Sequence, residues 1–222
     1  MKPTMRFLNG AVLAAGLMVG TGAYAQSPAA APAATPAGAP PATADAAQAA
    51  IRQTVDRLQT TLVDVMRHAA TLGYKGRYKQ LDPVVRGSFD FALITRIVMG
   101  ADWAKLSADE QGRLQEALTR LSVSMYASEF DDYSGQKFTF DGARAAAGGQ
   151  LVRYIFQSGN DRIHFDYQMR RTAAGDWKIA NVIVDGVSDL ALKSGQYRSL
   201  FEKQGFKGLV SWINQQIEKN GG

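Results

Sequence analysis

The chain has 222 residues, of which 46% are hydrophobic and 20% are charged, a composition that suits one folded domain with a hydrophobic core. Its 25 basic and 20 acidic residues give a net charge of +5, which is too small to indicate a nucleic-acid-binding protein. The chain contains no cysteine, which excludes thiol catalysis, disulfide bonds and cysteine-ligated zinc or iron–sulfur sites. Its stability must therefore come from packing.

The N-terminal residues have the pattern of a secretory signal peptide. Lys2 and Arg6 precede an apolar run over residues 7–19, and Ala23-Tyr24-Ala25 forms a small-x-small cleavage site. Because the run is short and interrupted, we predict a signal peptide over residues 1–25, cleaved after Ala25, rather than a retained membrane anchor. No Arg-Arg pair precedes the run, which favours export of an unfolded chain that needs no cofactor.

An Ala/Pro-rich segment follows the predicted cleavage site. Five of the seven prolines lie between Ser27 and Ala50, where the other residues are mostly alanine, threonine and glycine. Such a composition cannot build a core, so we predict a disordered linker over residues 26–45. Residues 46–222 are then the folded domain.

Three helices are predicted in the first half of this domain. Apolar positions with a period of 3.6 residues predict a helix that is capped by Asp45 and stopped by Gly73. After a basic, tyrosine-containing connection over residues 74–88, a shorter apolar helix is predicted over residues 89–99. The segment Ser107-Ala108-Asp109-Glu110 is a capping box that opens a third, long helix.

The second half changes from helical to strand periodicity. Alternation with a period of two predicts four strands over residues 137–140, 151–157, 162–171 and 177–184. Short connections over residues 158–161 and 173–176 predict hairpins and therefore an antiparallel sheet, with one face on the core and one in water. Two helices, 189–203 and 206–219, follow and are separated at Gly205. We predict an α+β fold in which a twisted, four-stranded antiparallel sheet is flanked by N-terminal and C-terminal helices.

The sequence contains few candidate catalytic groups. Neither His68 nor His164 has a second metal ligand at a suitable spacing, so no metal site is predicted. Ser188 follows a strand and precedes a helix, but the turn lacks the second glycine of a nucleophile elbow, and helix capping is the favoured role. A hydrolase would require Ser188 and His164 to converge with Asp166 or Asp185, although His164 alternates to the polar face of its strand.

Two patterns leave alternatives open. The Phe, Tyr, Met and Val residues exceed what one thin core layer needs, which fits either a binding pocket or a solid core, and such stripes are more often core. The basic and aromatic residues between Tyr74 and Arg86 suit a solvated helix face or an anionic membrane surface.

A set of motifs between residues 89 and 209 nevertheless resembles a known family. The motifs are residues 89–91 with 97–103, Tyr126 with residues 133–136, residues 177–179 with 182–188, and residues 197–201 with 205–209. Together they are similar to the MlaC-type or toluene-tolerance family, periplasmic auxiliary components of lipid-trafficking ABC systems. Residues 189–193 look closer to the hopanoid-biosynthesis-associated branch of that family.

The resemblance implies that sheet and helices enclose an apolar cavity for lipid tails, with the headgroup outside, and a carrier of this kind needs no catalytic residue. It implies a periplasmic carrier whose cargo is a phospholipid or hopanoid and whose partners are an inner-membrane transporter complex and an outer-membrane acceptor or donor. We expect a monomer. A non-carrying adaptor with a filled core, and less readily a lipid hydrolase, are the alternative functions.

Twelve residues are the candidate lining of the cavity. They are Val98, Trp103, Leu121, Met125, Tyr154, Phe156, Phe165, Tyr167, Val182, Val184, Val187 and Leu190. Val187 is the only apolar residue within Asp185–Asp189, so we expect its side chain to point inward. A lipid cavity would have to lie at the upper end of, or above, the range of about 300 to 1,000 Å³ that is usual for ligand sites.

Overall fold

A computed structural model of the chain describes residues 41–221, with side chains from residue 48 onward. The predicted signal peptide and most of the predicted linker lie outside the described residues. The elements in chain order are α1 (Pro41–Arg67), α2 (Ala69–Ser88), α3 (Phe91–Met99), a 3-10 helix (Gly100–Lys105), α4 (Ala108–Glu129), β1 (Lys137–Ala146), β2 (Gly149–Ser158), β3 (Asp161–Arg171), β4 (Trp177–Val184), β5 (Val187–Ser188) and α5 (Asp189–Lys219). The predicted α+β class is confirmed.

The N-terminal helices differ from the prediction in two places. Helix α1 spans Pro41–Arg67 and so includes residues 41–45, which were predicted to belong to the linker. The predicted connection over residues 74–88 is wrong, because α2 continues through it after a bend at Gly73, whose φ is 57°. Pro83 lies inside α2, where it removes one backbone donor.

Helix α2 is held in place by a buried arginine. Nε of Arg77 donates to the carbonyl of Ala127 at 2.8 Å, and a terminal nitrogen donates to the carbonyl of Ala69 at 3.2 Å. These carbonyls lie near the end of α4 and the start of α2, so the Arg77 side chain links the two helices. The N-terminus of α4 has the predicted capping box: Ser107 Oγ accepts from the Glu110 amide at 3.3 Å, and the Ser107 amide donates to Glu110 Oε2 at 2.9 Å.

The sheet has five antiparallel strands in the order β1-β2-β3-β4-β5, so the prediction of four strands is wrong. The additional strand β5 pairs with β4 through Val184 and Val187. Asp185 and Gly186 form the two-residue turn between them, with φ values of 47° and 84°. Positive φ at both central residues is the pattern of a type I′ hairpin, for which Asp-Gly is a favoured sequence. Strand β1 also runs beyond its predicted end, past a register shift between Phe140 and Gly142.

The buried side chains form two clusters. The sheet core lies between α1, α2, the end of α4 and the inner face of the sheet, and includes Leu58, Leu62, Leu81, Val85, Phe156, Tyr167 and Met169. The helical core lies between α3, α4 and α5 and includes Val98, Leu114, Leu121, Tyr197, Leu209 and Ile213. Helix α5 bends at Gly205, where φ is 65°, which agrees with the predicted break. The outer face of the sheet is polar, and on it Arg153 binds Asp166 with both a 2.6 Å and a 2.8 Å contact.

Candidate functional site

A predominantly apolar pocket lies where the two cores meet. Its walls come from the start of α3, the second half of α4, strands β3 to β5 and the first turns of α5. The apolar lining residues are Phe89, Phe91, Ile94, Met125, Tyr126, Phe165, Ala180, Val182, Val184, Val187, Leu190 and Leu192. The pocket volume is about 200 Å³, which is smaller than expected for a lipid cavity.

The wall formed by β4 and α5 is fixed by a side-chain amide. Asn181 on β4 is buried, and its Oδ1 accepts from the amide of Leu190 at 3.2 Å. Its Nδ2 donates to Ser188 Oγ at 3.0 Å, and the same Oγ accepts from the amide of Ala191 at 3.1 Å. Ser188 is thus the N-cap of α5, which satisfies one of the free amides at the helix start. These bonds set the direction in which α5 leaves the sheet.

The pocket wall at the start of α3 is also attached to strand β4. The amide of Asp90 donates to the carbonyl of Ile179 at 2.9 Å, and Phe89 forms an isolated parallel bridge with Ile179. Asp90 also caps α3, since its Oδ1 accepts from the Leu93 amide at 3.0 Å. Strand β4 therefore positions both α3 and α5 at the pocket.

Two apolar residues mark the mouth of the pocket. Val187 is 43% exposed and Leu192 is 59% exposed, although both line the pocket. Ile97, which is 42% exposed, lies on α3 one turn beyond the lining residue Ile94. Because these large apolar side chains are exposed, the apolar lining of the pocket continues onto the protein surface.

A small group of polar side chains lies within this apolar lining. Glu129 at the end of α4 and Asp189 and Lys193 at the start of α5 all line the pocket, and Lys193 Nζ lies 2.6 Å from Asp189 Oδ2. Burial raises the pKa of Glu129 to about 7, although the charge of Lys193 opposes this rise. Burial lowers the pKa of Lys193, but Asp189 and neighbouring groups outweigh burial and raise it. Burial also raises the pKa of Tyr126 well above its usual value.

The family model described as MlaC protein matches residues 43–215. The chain belongs to the MlaC family. It is 25% identical to the toluene tolerance protein Ttg2D of Pseudomonas putida over 130 residues, which are 58% of this chain and 60% of the relative, less than two thirds of its length. It shares its fold with a phospholipid-binding protein from Ralstonia solanacearum, solved in complex with a phospholipid, with a TM-score of 0.68, 21% identity, and coverage of 79% of this chain and 99% of the other.

Six of the twelve candidate lining residues come together in the pocket of this MlaC family member. They are Met125, Phe165, Val182, Val184, Val187 and Leu190. The other six lie outside the pocket lining: Tyr154, Phe156 and Tyr167 are buried in the sheet core, Val98 and Leu121 are buried in the helical core, and Trp103 packs against the helical core from the 3-10 helix. Contact of any of the twelve with a lipid stays a prediction.

The pocket wall at the start of α3 and the polar side chains of the lining were not predicted from the sequence. Phe89 and Phe91 were assigned to a helix and to a family motif and Ile94 to the helix, but none of the three was named as a lining residue, and Glu129 was not considered. A signal for Glu129 exists, because it follows Leu121 and Met125 at intervals of four residues and so continues the apolar stripe of α4. A charged residue in an otherwise apolar stripe indicates that its side chain faces the protein interior and not the solvent.

The residues that a hydrolase would use do not converge. Ser188 Oγ bonds to Asn181 and Ala191, whereas His164 lies on the exposed side with its Nδ1 3.4 Å from Asp185 Oδ1. Asp166 is paired with Arg153. Within residues 48–221 no three His, Asp or Glu side chains form a group suited to a metal ion. None of the helices in the described part of the chain is long and apolar enough to cross a bilayer.

Proposed function

We propose that this protein binds a phospholipid by enclosing its acyl chains in the pocket between β4, α3, α4 and α5, and carries it through the periplasm between inner- and outer-membrane complexes. The observation that carries the proposal is the apolar pocket with an apolar mouth at Val187 and Leu192. Membership of the MlaC family supports it, as does the shared fold with a protein described as phospholipid-binding.

Shielding acyl chains from water is the physical task of such a carrier. One chain of about sixteen carbons, at roughly 0.8 kcal/mol per CH₂, costs on the order of 13 kcal/mol to expose to water. An apolar pocket replaces the bilayer interior, so loading and unloading are close to balanced in free energy. The direction of transport is then determined by the donor and acceptor complexes, and no catalytic residue is required.

The proposal requires the pocket to widen around its cargo. Its volume of about 200 Å³ lies below the range of about 300 to 1,000 Å³ that is usual for small-ligand sites. The walls that can separate are helices, because the hydrogen bonds that join α3 and α5 to β4 lie at the N-terminal ends of these two helices. Movement of these two helices away from the sheet would extend the pocket toward the helical core.

Native mass spectrometry of the protein purified from its host tests the proposal. We expect a mass increase that corresponds to bound phospholipid, and identification of the lipid after extraction. Protein without lipid would support the adaptor, and breakdown of an added phospholipid would support the hydrolase. A hopanoid as the bound lipid would retain the carrier and change its cargo. The periplasmic location rests on the predicted signal peptide and is tested by N-terminal sequencing, for which Gln26 is the expected first residue.

A further inference from the structure

The first half of helix α5 is attached to the sheet by a single hydrogen bond. The bend at Gly205 separates residues 189–204, whose first turns line the pocket, from the rest of the helix. In the part of the chain with described side chains, the only hydrogen bond from residues 189–204 to another element runs from the Leu190 amide to Asn181 Oδ1, at 3.2 Å. Apart from its covalent connection to β5, this half of α5 is therefore bonded to the sheet through one side chain.

The packing of this half of α5 against the other pocket walls is apolar. Leu190, Tyr197, Leu200 and Phe201 pack in the helical core with α3 and α4. An acyl chain that enters between the walls can replace such contacts, because it is as apolar as the side chains themselves. An acyl chain has no donor or acceptor, so it cannot replace the hydrogen bond to Asn181. This bond must therefore be broken, and not merely exchanged, when the α5 wall moves away from β4.

The position of Asn181 depends on an irregularity of strand β4. Asn181 pairs with Gln168, but Ile179 pairs with Met169, so Ala180 is the extra residue of a β-bulge. Bulges bend a strand, redirect a side chain and occur frequently beside functional sites. Asn181 is buried, and its Nδ2 and Oδ1 both bond to the segment that opens α5. The bulge thus lies where the side chain that holds the α5 wall begins.

We propose that Asn181 is a positioning residue that holds the α5 wall closed and so determines the rate at which lipid enters and leaves the pocket. This inference rests on the proposed function, because it concerns the exchange of lipid at the same pocket. When Asn181 releases the Leu190 amide, residues 189–204 turn away from β4 about Gly205. The φ of 65° and ψ of −172° at Gly205 lie in a region that residues other than glycine rarely adopt.

A residue that only holds a wall closed acts equally on the empty and the loaded protein. Its removal raises the open fraction of both states by the same factor, so loading and release become faster together. The distribution of lipid between protein and vesicles at equilibrium then stays the same. A residue that instead shapes the lining would change this distribution. Rates and equilibrium measured on the same samples therefore distinguish the two roles.

Asn181→Leu tests the inference, because leucine has the shape of asparagine but no donor or acceptor. Protein stripped of lipid is mixed with phosphatidylglycerol vesicles that contain enough pyrene-labelled phosphatidylglycerol to give excimer emission, and loading is followed by the loss of that emission. Release is followed by mixing loaded protein with unlabelled vesicles. We expect both rates to rise about tenfold in Asn181→Leu, equivalent to about 1.4 kcal/mol. The loaded fraction at equilibrium should change by less than about twofold.

The matched control is Ser107→Ala, which removes a side-chain hydrogen bond at the start of α4, away from the pocket lining. It should lower the melting temperature through loss of a helix cap but change neither rate by more than about twofold. Circular dichroism shows whether each variant is folded. If Asn181→Leu does not fold, Asn181→Ala removes the same bonds with a smaller side chain and carries the same expectation.

Three results would overturn the role of Asn181 while leaving the carrier intact. The first is unchanged rates in the folded Asn181 variant. The second is faster release with unchanged loading and less bound lipid at equilibrium, which would mean that Asn181 shapes the lining. The third is equal acceleration in Ser107→Ala, which would mean that the rates follow overall stability. Failure of the unmodified protein to take up the pyrene-labelled lipid would contradict the proposed function itself.

Discussion

Replacement of Glu129 by glutamine should stabilise the folded protein at high pH and leave it unchanged at low pH. Burial in the pocket raises the pKa of this carboxyl from its ordinary value of 4.5 to about 7. The folded protein therefore holds a proton more tightly than the unfolded chain. The stability that this proton contributes is fully present below pH 4.5 and is lost as the pH rises through 7.

The magnitude follows from the two pKa values. At about 1.36 kcal/mol per pKa unit, ionised Glu129 lowers the free energy of unfolding by at most about 3 kcal/mol at pH 8. Glu129→Gln removes that cost, because a glutamine is as neutral as the protonated acid. For a domain of this size about 1 kcal/mol corresponds to roughly 2–4 °C in melting temperature. We therefore expect the variant to melt about 5 to 10 °C above the unmodified protein at pH 8, and at the same temperature at pH 4.

Thermal unfolding followed by circular dichroism at pH 4, 6 and 8 provides the measurement. The difference between variant and unmodified protein is compared at each pH, so that all other titrating groups cancel. Glu218→Gln, at an exposed position, should show no pH-dependent difference. A Glu129→Gln variant that is less stable than the unmodified protein at pH 8 would mean that Lys193 stabilises the carboxylate by more than burial costs, and would refute the reasoning.

Two further substitutions test the mouth and the cap of α5. Val187→Glu should fold with nearly unchanged stability, because the side chain at this position is already 43% exposed. The variant should co-purify with little lipid, since a third carboxylate beside Asp185 and Asp189 meets the acyl chains as they enter. A folded variant with the normal lipid load would contradict the position of the mouth. Ser188→Ala should lower the free energy of unfolding by about 1 kcal/mol through loss of the helix cap and should retain lipid transfer; loss of transfer in a folded variant would instead indicate a catalytic serine.

The elements that depend on interactions within a few residues could be predicted from the sequence. The capping box of α4 and the break in α5 at Gly205 depend on backbone hydrogen bonds and φ preferences within a few residues, and both were identified. Strand β5 had an equally local signal in Asp185-Gly186, but a two-residue strand is too short for its alternation to be noticed. Helix α2 was predicted as a connection, although a solvated helix face was one interpretation of its basic and aromatic residues. Its Pro83 is unfavourable locally, and burial of residues such as Leu81 and Val85 in the sheet core outweighs that cost.

The candidate site was predicted only in part because strand alternation determines the face of a residue but not what covers that face. Phe165 and Tyr167 are two residues apart on the inner face of β3, yet Phe165 lines the pocket whereas the Tyr167 hydroxyl accepts a hydrogen bond from Gln59 of α1 at 3.4 Å. Helix α1 crosses the sheet near Tyr167 and contacts only the start of β4, where Thr54 Oγ1 donates to the carbonyl of Trp177 at 3.1 Å, whereas residues 180–182 and 184 of β4 line the pocket. This crossing is a tertiary relation between segments more than a hundred residues apart, and a periodic pattern carries no information about it.

The pocket itself can be tested by filling it. Ala180 on β4 lines the pocket and is only 3% exposed, so Ala180→Leu would place three additional carbon atoms in a volume of about 200 Å³. If this volume accommodates acyl chains, the leucine should fit with little loss of stability, and the protein should fold but no longer bind lipid.

A solid core at Ala180 predicts the reverse, because overpacking a filled core costs about 1–3 kcal/mol and would lower the melting temperature by several degrees. The matched control is Ala145→Leu, the same substitution at an exposed position of β1, the far edge strand of the sheet, which should affect neither property. Lipid content and melting temperature are measured on the same samples. A folded Ala180→Leu variant that keeps its full lipid load would mean that acyl chains lie elsewhere, and the helical core between α3, α4 and α5 would then be the remaining apolar volume able to receive them.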